Sequence, residues 1–319
     1  MNTHKDLSIG IDLGGTNTKF GIITNEGQIL EEGRIKTVDY PDVESFVDAL
    51  YEQLSPLIEK YSSVGKIKGI GIGAPNANFF TGNIEHAVNL HWKGTVPLAK
   101  LVKEKFGLLC VLNNDAKVAA LGEHAFGVAK GMKDFIMITL GTGVGGGIFV
   151  NGNLLYGAKG NAGELGHSVI RYNGRTHWST GLKGTVESYC SATGIVITAK
   201  EMLEKAGDGS ALSQYQQDEI TSEIVYDCAV KGDQTAQEVF KYTGEILGEA
   251  MANFALFSSP EAFILFGGVM RAWDLIIEPA KRSLEQHLIE AFKGQIKVLH
   301  SGLEFDDAAI LGASRLIYP

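Results

Sequence analysis

Two stretches decide how this chain is read: Asp12-Leu13-Gly14-Gly15-Thr16 and Leu140-Gly141-Thr142-Gly143-Val144-Gly145-Gly146-Gly147. Each follows an apolar run of strand character, LSIGI before the first and FIMIT before the second, and each leads into another, KFGIIT and GIFV. The pattern predicts two strand-turn-strand elements that expose backbone N–H groups and a Thr hydroxyl at the turn, a device that can cradle phosphate oxygens. Either stretch alone also reads as a plain tight hairpin. Recurrence of the same turn, with Thr in both copies, favours phosphate. Asp12 places a carboxylate beside the first turn, suited to a hydrated Mg²⁺ that would neutralise phosphate charge.

Two other phosphate folds are excluded at the same positions. Gly141, Gly143 and Gly146 satisfy G-x-G-x-x-G, but a dinucleotide fingerprint must open a helix, and here the chain runs on as glycine-rich apolar strand. The P-loop pattern G-x-x-x-x-G-K-[ST] does not occur.

Outward from the first turn, EGQILEEGRI continues a β-meander, VESFVDALYEQLSPLIEKY has helical period, and IKGIGIG is a strand. A loop rich in Asn and Gly follows, then a helix opening at Pro97 and the strand LLCVLNND. Beyond the second turn, Thr221 to Phe257 is helical with one break near Lys231 to Asp233, AFILF is a strand ending at Gly267-Gly268, and DDAAILGASRLI closes as a helix. With 319 residues the chain exceeds a single core, so two α/β lobes are expected, at 1–119 and 120–304, with the helix near 305–319 returning to the first.

Hydrophobic residues make up 45% and charged residues 20%, a composition that folds throughout. The net charge of -9, without a basic cluster, argues against nucleic acid and against an anionic membrane surface. Neither a signal-peptide pattern nor a long apolar span is present, and Cys110, Cys190 and Cys228 are odd in number and far apart. A reducing cytoplasm and small-molecule chemistry fit these features.

Asn113-Asn114-Asp115 ends the strand LLCVL and precedes the helix AKVAALGEHAF. Asp115 is there either a helix cap or a functional carboxylate at the C-terminal edge of a parallel sheet, where ligands bind. Further on, Glu164 and His167 stand three apart in Gly163-Glu164-Leu165-Gly166-His167, and Glu187 follows. Carboxylates accept from sugar hydroxyls and imidazole both donates and accepts, so this trio can read a hexose.

In order and spacing these motifs resemble, over essentially the whole chain, the ROK proteins (repressors, open reading frames and sugar kinases) of the actin-like ATPase superfamily. Asp12 to Thr16 is similar to the family's first phosphate motif, Leu140 to Gly147 to its second, and Leu265 to Val269 to its adenosine-side turn. The resemblance implies an α/β fold of two actin-like (ribonuclease H-like) lobes with mixed sheets and a cleft. It places Gly14, Gly15, Thr16, Gly141, Thr142, Gly143, Gly267 and Gly268 at ATP, with Mg²⁺ at Asp12. It makes Asp115 the general base, gives Asn114, Glu164, His167 and Glu187 to the sugar, and sets Asn76 and Asn89 in loops lining the same site. The implied reaction moves the γ-phosphate of ATP to the 6-hydroxyl of glucose. N-acetylglucosamine, N-acetylmannosamine, fructose and allose are the family's alternative acceptors, and a homodimer is its usual assembly.

Other classes remain as alternatives. A repressor of this family carries a helix-turn-helix before the first phosphate motif, and eleven residues before Asp12 are too few for one. A non-catalytic sugar sensor is opposed by an intact Asp115 and both phosphate turns. Another actin-like enzyme, such as an acetate kinase, should lack the Glu-x-x-His and Gly-x-x-Gly-x-x-Glu pair. One departure from the family stands out: its Cys-x-Cys-Gly-x-x-Gly-Cys-x-Glu, which holds structural zinc with a His, is here Trp178-Ser179-Thr180-Gly181-Leu182-Lys183-Gly184-Thr185-Val186-Glu187. Without thiolates no zinc is expected. Hydrogen bonds and packing, with Trp178 among the contributors, should pin the loop and leave His167 to the sugar.

Overall fold

The computed structural model describes residues 5–87, 90–206 and 209–318, so Asn89 lies outside the described residues. The chain forms two compact units, one of Met1–Met132, Leu154–Gly163 and Ser301–Pro319, the other of Lys133–Asn153 and Glu164–His300. Both are mixed α/β, as the sequence led us to expect.

In the first unit, β1 (Lys5–Leu13), β2 (Asn17–Thr24) and β3 (Ile29–Lys36) form the antiparallel meander. Helix α1 (Val43–Tyr61), with Asp42 accepting from Ser45 N at 2.7 Å as its N-cap, leads to β4 (Gly65–Ala74), which pairs parallel with β1. The Asn- and Gly-rich loop contains a small antiparallel sheet unforeseen in the sequence: β5 (Ala77–Asn78), β6 (Asn83–Glu85) and β7 (Thr95–Val96). Helix α2 (Leu98–Phe106) then returns to β8 (Leu109–Asn114), parallel to β4, and α3 (Asp115–Phe126) follows. The main sheet has the order β3-β2-β1-β4-β8.

β1 is a nearly continuous buried run, which requires cover on both faces. Phe46 and Leu50 of α1 share one core with Leu7, Ile9 and Ile11. The other face meets the C-terminal helix Phe305–Arg315. Gly71 of β4 permits that contact: a Cβ added there would lie 1.8 Å from the carbonyl oxygen of Ala313. The returning chain is fastened by Glu123 of α3. Its fully buried carboxylate accepts from Val128 N at 2.7 Å, Ser301 Oγ at 2.7 Å and Gly302 N at 2.9 Å.

The second unit repeats the plan. β9 (Phe135–Leu140) and β10 (Val144–Val150) form an antiparallel hairpin, and the chain passes between units at β11 (Asn153–Leu154). Four helices follow: α4 (Glu187–Cys190), α5 (Ala192–Ala206), α6 (Ser222–Val230) and α7 (Gln234–Ser258). The break before α7 falls where the sequence placed it, with Asp233 as N-cap. β12 (Ala262–Phe266) pairs parallel with β9, α8 (Trp273–His287) follows, and β13 (Lys297–His300) closes the order β11-β10-β9-β12-β13. Among the described residues no helix is long and apolar enough to cross a membrane.

Candidate active site

In the first unit the parallel strands β1, β4 and β8 all end at one edge. Asp12 lies beside Gly73 and Ala74 beside Asn114 in the register. The turn after Asp12 is closed by Gly14 N donating to Asn17 O at 3.0 Å, and Thr16 at its tip is exposed. Asp12 itself is half-buried. Desolvation, then the negative charge of Asp115, raise its carboxyl to about 6, against the pull of Lys19 and Arg34.

The cap at the start of α3 is Asn114, not Asp115. Asn114 has extended backbone, and its Oδ1 accepts from Ala116 N at 3.1 Å and Lys117 N at 3.3 Å. Its amide NH₂ donates to the Asp115 carboxylate. Asp115 is therefore the first helical residue, with one carboxylate oxygen taking Ala116 N–H at 2.8 Å. The residue is exposed at this helix start. Desolvation raises its carboxyl above the ordinary aspartate range, opposed by the Ala116 N–H, the Asn114 amide, its own backbone N–H and Lys117.

Lys117 escaped the sequence reading. It is 2% exposed and donates to Gly160 O at 2.8 Å, which ties residues 154–163 to α3 and sets a cation two residues from Asp115. The only hint in the sequence is a lysine inside an otherwise apolar helix start. Asn76 adopts a left-handed φ of 53°, tolerated by Asn, and donates to Glu85 O at 3.1 Å and His86 O at 3.4 Å. Its amide hydrogens thus hold the turn to β6, and only its Oδ1 faces no partner of this kind.

The second unit places both of its glycine turns at the carboxyl edge of its sheet. Gly141 N donates to Gly143 O at 2.9 Å across the first, with Thr142 exposed at the tip, and the chain continues as strand. Gly267 closes β12 at φ 110°, and a Cβ there would sit 2.4 Å from Leu140 O, so only glycine lets the two turns lie side by side. Gly268 opens the short turn into α8, with open space around its Cα.

Glu164 and His167 flank a single 3₁₀ turn and face each other, His167 Nδ1 to Glu164 Oε2 at 3.5 Å. Glu187 stands at the start of α4. One of its oxygens takes Val144 N–H at 2.7 Å and the other pairs with His177 Nε2 at 2.6 Å. Ligand atoms of His167, His177 and Glu187 all lie within 4.8 Å of one another. The loop that carries them is pinned by Arg171 to Glu249, by Arg175 to Glu201 at 2.6 Å, and by the Arg175 guanidinium 4.5 Å above the Tyr189 ring. Trp178 stacks on His177 at 4.2 Å while remaining 45% exposed, so the arginine pairs do more of the pinning than its packing.

The ROK family model matches residues 8–318. The chain is 35% identical over 317 residues to a glucokinase of Halalkalibacterium halodurans, covering 97% of this chain and 94% of that protein. It resembles the crystal structure of a ROK family glucokinase from Streptomyces griseus in complex with glucose and AMPPNP. The TM-score is 0.79 at 32% identity, with 97% and 98% of the two chains covered. It is also 28% identical to a xylose repressor of Caldicellulosiruptor bescii, over 99% of this chain and 80% of that protein.

Proposed function

The chain belongs to the ROK family, and on that premise we propose that it is an ATP-dependent sugar kinase, with the 6-hydroxyl of glucose as its preferred acceptor. The glucokinase relatives support the sugar. The observation that carries the reading is Asp115: Asn114 takes over the cap, which frees a desolvated, accessible carboxylate at the sheet edge for proton transfer.

Phosphoryl transfer asks a protein for positioning, charge neutralisation and a base. Asp115, as carboxylate, takes the proton of the sugar hydroxyl while that oxygen forms its bond to the γ-phosphorus and the bond to the bridging oxygen of ADP breaks. A raised pKa makes it the better base. The N–H groups of Gly14 and Gly141 close the two turns, which leaves the N–H groups of Gly15 and Gly143 and the hydroxyls of Thr16 and Thr142 to hold phosphate oxygens, and Gly267 and Gly268 leave room for adenosine. Asp12 fits a divalent cation, since its ionised form is opposed by burial and by Asp115 and is relieved by positive charge. Mg²⁺ held there supplies neutralisation of the phosphates. Asn114, Glu164, His167 and Glu187 take the sugar hydroxyls, and the family resemblance adds Asn76 and Asn89 to them.

We place the enzyme in the cytoplasm, with its ATP, and as a homodimer, which light scattering on the purified protein checks. The deciding experiment is a coupled ADP-release assay across glucose, mannose, fructose, N-acetylglucosamine, N-acetylmannosamine and allose. Glucose-dependent ADP release at the highest kcat/KM is expected. Sugar binding without ADP release for every member of the panel would leave the non-catalytic sensor.

A further inference from the structure

The loop between Ser168 and Val186 carries a second histidine to which nothing above gives a task. His177 is 2% exposed. Its Nδ1 faces the backbone N–H groups of Ser179 at 3.3 Å and Thr180 at 3.2 Å. A ring nitrogen that accepts two N–H donors carries no hydrogen, so these partners assign the ring hydrogen to Nε2. That hydrogen is directed at Glu187 Oε1, 2.6 Å away. Glu187 Oε2 meanwhile accepts from Val144 N, the first residue after the phosphate turn. The carboxylate is held at both oxygens, and each keeps lone-pair capacity for a further donor.

The zinc that the family implies does not fit this donor set. Two ligands on a tetrahedral zinc with bonds of about 2.0–2.1 Å stand roughly 3.3 Å apart, whereas His177 Nε2 and Glu187 Oε1 are at hydrogen-bond separation. Ligation through Nε2 would move the ring hydrogen to Nδ1, straight against the N–H groups of Ser179 and Thr180. Of the residues at the family's thiolate positions, Thr185 is engaged with Ser188 Oγ at 2.7 Å and Trp178 stacks on the imidazole.

We propose that His177 is a positioning residue that does the work of the missing metal: its hydrogen-bonded ring joins the 177–180 turn to Glu187 and fixes that carboxylate for the sugar. This rests on the sugar-kinase reading of Glu187. Trp178 lies over the ring at an interplanar angle of 23° and shields the pair from water.

The test compares His177→Ala, His177→Phe and His177→Gln with the wild type in four measurements: KM for glucose, KM for ATP, glucose Kd by calorimetry without nucleotide, and zinc content after chelator treatment. Ala and Phe should raise glucose KM and Kd by roughly 5- to 100-fold, the effect of orphaning a buried charged hydrogen bond, and leave ATP KM unchanged. Gln, with one amide donor and one acceptor, should recover part of the loss. The wild type should hold substoichiometric zinc. An unchanged glucose Kd in His177→Ala overturns the proposal, as does a joint rise of both KM values with a lowered melting midpoint, or one zinc per wild-type chain. A wild type that neither binds nor phosphorylates any sugar brings down the kinase reading and this assignment with it, whereas an active wild type matched by His177→Ala removes only His177.

Discussion

Asp115 and Asp12 are two carboxylates raised by the same cause, desolvation, and assigned different work. Asp115→Asn should lower kcat by about 10²- to 10⁴-fold, the usual size of a general-base contribution, while glucose binding persists in calorimetry. Asp115 must be ionised to accept a proton, and so must Asp12 to hold a cation. The acid limb of kcat/KM should therefore fall as pH drops through about 6, higher than ordinary aspartates would give. Stability should run the other way. A carboxyl whose folded pKa exceeds its unfolded one costs stability when ionised, a cost absent below the unfolded value of 3.8 and complete above about 6. Asp12→Asn should thus abolish turnover yet stabilise the ligand-free protein at pH 8, by at most ~3 kcal/mol, with no gain at pH 3.5. Denaturant melts at the two pH values check this.

At the scale of elements, the join between α3 and the returning chain depends on Glu123. Glu123→Ala removes the buried acceptor shared by three donors and should cost about 2–4 kcal/mol in a urea melt. None of this shows in the sequence, where Glu123 is one more residue in AALGEHAF, because its partners come from residues 128, 301 and 302. What was legible was periodic or local: the two glycine turns, the break before α7 and the final helix, which begins one residue before the stretch DDAAILGASRLI. The sheet β5-β6-β7 was not, since strands of two or three residues carry no period. The candidate site divides in the same way. Asp12, Asp115 and Glu187 were found by motif, whereas the cap on Asn114, Lys117 and the His177–Glu187 pair are matters of which atom faces which, and a one-dimensional pattern does not encode that.

The two units share one plan, a meander followed by parallel strands, each with its two turns or strand ends at the carboxyl edge of its own sheet. The repeat was visible as an echo of DLGGT in LGTGV. The same chain plan serves relatives named glucokinase and xylose repressor, so fold alone does not choose between them. Membership of a unit does not follow position along the chain. Native-state hydrogen exchange should group the helix Phe305–Arg315 with β1 and β4, not with β13, its neighbour in sequence. The helix that covers this face of β1 is thus synthesised after the whole second unit. A ribosome must deliver the whole second unit before the first can close, so the second can reach its native state during translation while one face of the N-terminal strands waits, uncovered.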